Sequence, residues 1–294
     1  GLTGGRLLQH HPCALRSLKY LALTASVSAL GTAGLTIGTI KPALAEFQIQ
    51  EATIEKGETE FEYRGAYHWG VPQATDDNEN ANDLVQSHEF ELQYSPTNWW
   101  LMQFTLGTEQ PLHEDFNVSD VEIETEFALI KREGDGMALS FQGGYEKSTN
   151  GQADSIGFGP IVELASGKLL ITLNPLFTDQ VGPNRDTDGL GFEYGWRAEY
   201  DFAKHWGIGA EMFGEIEDLA NAGSFNDQNH SIGPTLFWNP GGDDEDEGKA
   251  EGGDDDEKTA GPPDMELSFN VGVQLGLTDA ASDGALKFQG SLSW

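Results

Sequence analysis

The sequence predicts an all-β protein, a closed antiparallel up-and-down transmembrane β-barrel of about twelve strands, and three observations carry that expectation. Apolar and polar residues alternate through most of the chain after residue 45. The alternating segments are long. The links between them switch between tight turns and longer polar loops.

Alternation with a period of two marks a strand with two unlike faces. It recurs in segments 58–70, 87–95, 98–108, 119–132, 135–147, 153–166, 168–179, 188–201, 204–218, 229–239, 264–278 and 283–294. In 119–132, Val121, Ile123, Thr125, Phe127 and Leu129 share one face and Glu122, Glu124 and Glu126 the other. In 188–201, Leu190, Phe192, Tyr194, Trp196, Ala198 and Tyr200 oppose Glu193, Gly195, Arg197, Glu199 and Asp201. A soluble sandwich buries its apolar face against a second sheet. A membrane barrel turns that face to lipid and lines a lumen with the other.

Segment length favours the barrel. Soluble strands average about 5 or 6 residues, whereas a tilted spanning strand needs about 9 to 11. The connections agree. Ser95-Pro96-Thr97, Glu133-Gly134, Ser166-Gly167 and Phe202-Ala203 read as tight turns on one side, with longer Asp-, Asn- and Gly-rich links between. Laying the strands alternately up and down sorts the aromatics into two belts. Phe61, Tyr94, Trp100, Tyr200, Trp206, Trp238 and Trp294 form a girdle at the turn end, and Tyr67, Trp69, Tyr145, Phe158, Phe177 and Phe192 one near the loop end. Amphipathic rings settle at headgroup level, so lipid predicts two girdles.

Three regions are expected. Residues 1–45 carry Arg6, Arg16, Lys19 and Lys41 and no acid, contain a long apolar run, and close on Ala43-Leu44-Ala45; they read as a signal peptide. Residues 46–57 read as a periplasmic N-terminal segment and 58–294 as the barrel. Residues 241–264 are an acidic low-complexity insert that cannot bury a core. Strand parity puts this insert at the turn end. Its carboxylates suit loose binding of divalent cations, and no dedicated metal site is expected.

The net charge of -33 excludes nucleic acid, which needs a basic face. The one cysteine, Cys13, lies in the leader, which excludes disulfide staples and Cys-ligated zinc from the processed chain. No G-x-S-x-G, H-E-x-x-H or phosphate loop occurs, so no catalytic set and no cofactor is expected.

The C-terminus carries a resemblance. The chain is similar to bacterial outer-membrane β-barrel proteins of the twelve-stranded channel type over residues 58–294. Lys287, Leu292 and Trp294 match that family's terminal assembly signal, while Gln289 stands where Gly is usual. The opening EFQIQEATIEKGETEFEYRGAYHWG also resembles proteobacterial barrels grouped with transporters. The resemblance implies the outer membrane of a Gram-negative bacterium, its lipid as surroundings, and the barrel-assembly machinery as a partner through the last strand.

The inward face then defines the candidate site. Its acids include Glu62, Glu91, Glu122, Glu124, Glu126, Glu193, Glu199, Glu211 and Glu215; its few bases include Arg64 and Arg197. So many carboxylates in one bore imply water, bound cations, or both. The expected function is passive diffusion of small solutes with a preference for cations. The alternatives are a lipid hydrolase, or a structural or adhesive barrel whose lumen is plugged by a Glu–Arg network.

Overall fold

A computed structural model describes residues 47–73, 83–185, 187–240 and 265–294. Among these, twelve strands form one closed antiparallel barrel in which every strand pairs with its sequence neighbours and β1 closes on β12. The strands are β1 (Thr59–Trp69), β2 (Leu84–Thr97), β3 (Trp100–Pro111), β4 (Asn117–Ile130), β5 (Gly136–Ser148), β6 (Asp154–Ser166), β7 (Leu169–Val181), β8 (Gly191–Ala203), β9 (Trp206–Ile216), β10 (Asn229–Trp238), β11 (Glu266–Gly276) and β12 (Gly284–Ser293). The closing seam runs from Glu60↔Ser293 to Trp69↔Gly284. It is finished by reciprocal backbone bonds between Thr59 and Trp294 of 3.0 and 2.9 Å. Closure leaves no strand edge, which is what a sheet in lipid requires.

The two faces separate by chemistry as the alternation predicts. Ile123, Leu129, Phe104, Leu92, Ile208 and Leu275 are exposed on the outside. Glu62, Arg64, Glu91, Glu122, Gln142 and Glu211 are buried on the inside. This inversion, apolar out and charged in, is the arrangement of a barrel solvated by lipid. No described helix is long and apolar enough to cross a membrane; the crossing is made by strands.

Two expectations change. Three of the expected tight turns sit one to three residues further along than the sequence suggested, at Asn98-Trp99, Gly167-Lys168 and Lys204-His205, while the fourth link, Lys131 to Asp135, contains the expected Glu133-Gly134. Gly167 and His205 take positive φ there, of 60° and 65°, the conformation that tight hairpins demand. Pro96 lies instead in a bulge of β2, between Tyr94 and Thr97, where its missing N–H costs no ladder bond. The second change is larger. The segment expected in the periplasm enters the bore: Ile49, Ala52 and Ile54 are buried, and residues 48–53 bond to strands on several sides of the lumen. Its backbone polar groups meet partners on the charged inner wall, and its short apolar side chains fill what those partners leave. The expected leader, 1–45, and the acidic insert 241–264 lie outside the described residues.

Candidate functional site: a carboxylate-lined lumen holding an inserted segment

Strand register assembles the inner wall. Glu62 of β1 lies directly opposite Glu91 of β2, and Arg64 opposite Glu89. Arg64 thereby sits among three carboxylates. Its Nε donates to Glu89 at 2.9 Å, its Nη1 to Glu91 at 2.8 Å, and its guanidinium also bonds Glu62. All four side chains are nearly fully buried. A planar five-donor fork is the group suited to several carboxylates at once.

A second cluster forms on the opposite wall. Arg197 of β8 faces Glu211 of β9 in register, and its Nε donates to Glu211 at 2.9 Å. The other Glu211 oxygen accepts from Thr235 Oγ1 at 2.6 Å and pairs with Lys287 Nζ at 2.5 Å. Glu199 lies 3.9 Å from Arg197, and Glu51 of the inserted segment 3.6 Å. The Arg197 guanidinium rests over the Phe237 ring at 4.9 Å, and the Lys287 ammonium faces the Phe213 ring at 5.2 Å.

The remaining predicted carboxylates are grouped by register away from these bases. Glu122 faces Glu146 across β4–β5. Glu193 faces Glu215 across β8–β9. Glu124 accepts from Gln103 Nε2 at 2.7 Å. Glu126 is buried near the turn end, and its Oε1 has no hydrogen-bond partner among the described residues. The predicted lumen residues thus divide into two base-centred clusters and a set of acid-rich rungs.

The inserted segment threads between them. Gln48 Nε2 donates to Glu91 at 3.1 Å. The Gln50 backbone exchanges two bonds with the Asn174 side chain, at 2.6 and 3.0 Å. Gln50 Nε2 reaches Gln103 at 3.2 Å. Glu163 accepts from the Ala52 backbone at 3.1 Å and from Thr53 Oγ1 at 3.3 Å. Ser140 Oγ donates to the Ala52 carbonyl at 2.9 Å. At its upper end Phe47 stacks on His68 at 5.8 Å and meets Phe213 edge-on at 5.1 Å. The segment does not fill the bore: a cavity of about 690 Å³ at the turn end is lined by Glu51, Glu55, Glu58, Glu60, Arg64 and Arg197, among others.

Sequence reasoning missed the segment, though the alternating apolar residues of Phe47-Gln48-Ile49-Gln50 were a signal of packing. It also missed a contact between chemistry-bearing residues: His68 Nδ1 lies 2.9 Å from Ser282 Oγ, brought together from β1 and the β11–β12 loop. Ser282 is buried. The aromatics expected to form the girdle at the turn end lie on the outer face. Phe61, Tyr94, Tyr200, Trp206, Trp238 and Trp294 are exposed, Trp206 packs beside Trp238 at 6.2 Å, and Trp100 Nε1 donates to Thr125 Oγ1 at 2.8 Å.

No protein-family model matches the chain, and no curated protein matches it either. Solved structures do. An outer-membrane channel from Pseudomonas putida F1 superposes with a TM-score of 0.52, covering 86% of this chain and 100% of its own at 9% identity. The KdgM porin, at 0.46 and 9% identity, covers 80% of this chain and 98% of its own. The NanC porin, at 0.46 and 12% identity, covers the same shares. At 9% identity the first of these likenesses establishes the fold alone, that of an outer-membrane β-barrel.

Proposed function

We propose that the protein is a passive channel for small solutes in the outer membrane of a Gram-negative bacterium, that it favours cations, and that the segment from Phe47 to Lys56 regulates its bore. The observation that carries this reading is a closed barrel whose interior is wet in chemistry: carboxylates far outnumber bases along the wall, and a cavity beside the segment opens at the turn end. Rings of acidic side chains raise the local concentration of cations and repel anions. The segment is held by polar bonds and small apolar contacts, without a large apolar anchor at its centre, so its release exchanges these bonds for bonds to water. Outer-membrane lipid around the girdles and the assembly machinery at the last strand are the partners this reading implies.

The test is single-channel recording of the refolded protein in planar bilayers under a KCl gradient. A reversal potential of the sign set by cation flow is expected. A potential of the opposite sign removes the cation preference, and silence at all voltages favours a structural barrel with a plugged lumen.

A lipid hydrolase is the second reading, and the His68–Ser282 contact is the one observation in its favour, since a nucleophilic serine needs a histidine at that distance. Against it, the serine is buried and Phe47 covers the imidazole. Ester hydrolysis by the refolded chain that vanishes in Ser282→Ala supports an enzyme; activity unchanged by that substitution, or absent, removes it.

A further inference from the structure

One seam of the barrel is not hydrogen-bonded through its middle. Strands β6 and β7 pair from Asp154↔Val181 to Phe158↔Phe177, and pairing resumes only at Val162↔Leu173. The unbroken register sets Pro160 opposite Pro175 in between. Neither proline has an N–H, so both donors of that rung are missing. Each proline remains paired on its other side, Pro160 with Phe141 and Pro175 with Tyr194, so the loss is confined to this seam. Prolines in sheets belong at edges, and a spanning barrel has every reason to avoid unsatisfied backbone carbonyls. Two prolines on one rung therefore build an edge into a closed sheet. At this rung the strands meet by contact alone: a Cβ on Gly159 would lie 2.0 Å from the Pro175 carbonyl oxygen, an approach only glycine permits.

The lumen behind this rung departs from the acidic wall elsewhere. Ile161 is fully buried and clusters with Ala138 and with Ala52 of the inserted segment. Leu176 shares the inner face of β7 with Asn174 and is half-buried. The segment is tethered at this height, because Asn174, which holds the Gln50 backbone, is the residue before Pro175. Seam β10–β11 has a related gap at Pro234, but with a proline on one strand only, and with Thr235 and Gln274 rather than aliphatic side chains inside.

We propose that the β6–β7 seam is a lateral portal through which a small, uncharged, apolar solute passes between the lumen and the lipid. The missing rung lowers the cost of parting the strands. The aliphatic patch gives such a solute a place on an otherwise charged wall, and movement of the tethered segment uncovers it. The portal is separate from axial ion flow and does not require it.

The test closes the seam in two ways. In Gly157→Cys/Thr178→Cys the two thiols face each other across the seam just beyond the gap, and a Cβ at Gly157 meets nothing nearer than 3.4 Å. The processed chain offers no other thiol, since Cys13 lies in the leader. Pro160→Val/Pro175→Val restores both N–H donors. The readouts are uptake of N-phenyl-1-naphthylamine through the outer membrane of intact cells and KCl conductance of the purified protein. Oxidising the cysteine pair should slow uptake several-fold, reduction should restore it, the valine pair should be slow throughout, and conductance should stay unchanged. Equal uptake in oxidised and reduced forms overturns the proposal, as does a parallel fall in conductance, which would route the probe through the axial bore. A chain that conducts no ions yet shows uptake sensitive to the staple removes the ion-channel reading and leaves the portal standing.

Discussion

Arg64 shows how single side chains set the lumen. Three buried carboxylates, Glu62, Glu89 and Glu91, converge on it. Removing one partner of a buried ion pair leaves charge uncompensated and costs about 3–5 kcal/mol. Arg64→Met should therefore destabilise the folded barrel by about that much, read as a lower urea midpoint for the loss of tryptophan fluorescence in detergent. A variant that also carries Glu89→Gln and Glu91→Gln, with Glu62 as the one acid left of the three, should recover part of the loss. The outer face offers a different residue-scale problem, a histidine on the apolar side of the sheet, buried beneath the Phe225 ring at 4.5 Å. His230 meets it by satisfying both nitrogens: Gln228 Nε2 donates to the Ala222 carbonyl at 3.0 Å, which turns Gln228 Oε1 toward His230 Nε2 at 2.8 Å, and Tyr194 Oη lies 3.0 Å from Nδ1. The neutral ring with its proton on Nε2 fits all three contacts, Tyr194 then donating to Nδ1. His88 repeats the pattern with Gln86 and Tyr63.

Among the elements, the inserted segment is the one with most to test. A variant lacking residues 47–56 loses no strand, since β1 begins at Thr59. It should fold, shift on unheated gels like the parent, and conduct several-fold more in planar bilayers; equal conductance would show that the segment does not limit flow. The β9–β10 loop carries a pH prediction. Asp218 accepts from the Asn221 side chain and the Ala220 N–H, and Asp227 from the Ser224 N–H. These donors hold both carboxyls below the usual carboxylate range. A lowered pKa in the folded loop means that the order it supplies is complete above the ordinary value near 4 and is lost as pH falls through the lowered one. Protease nicking in this loop should stay constant from neutral pH to about 5 and rise only in stronger acid, when measured with an acid-active protease.

For the whole molecule, closure is the property on which the rest depends. Strand β12 is bonded on both sides, to β1 and to β11, and the Thr59–Trp294 exchange finishes the first of these seams. Deleting Trp294 removes that exchange and one ring of the lower girdle. The yield of heat-modifiable, membrane-inserted barrel should fall several-fold, and the same deletion should do far less to strand content in detergent, since ten other β1–β12 pairs remain.

The sequence by itself determined the fold class, the number of strands, and which side chains face in. A period of two is a local property: once a strand forms, adjacent side chains must point to opposite faces, and the apolar set was long and continuous enough to require lipid. Turn positions were legible to within a few residues, and Pro96 misled because proline serves bulges as well as turns. Only the tertiary structure decided which carboxylates meet a base, that residues 47–54 lie inside the bore, that His68 reaches Ser282, and that Pro160 faces Pro175. Each of these joins positions far apart in the chain or depends on cross-strand register. Register is set by the closure of all twelve strands together, and no short stretch of sequence contains it.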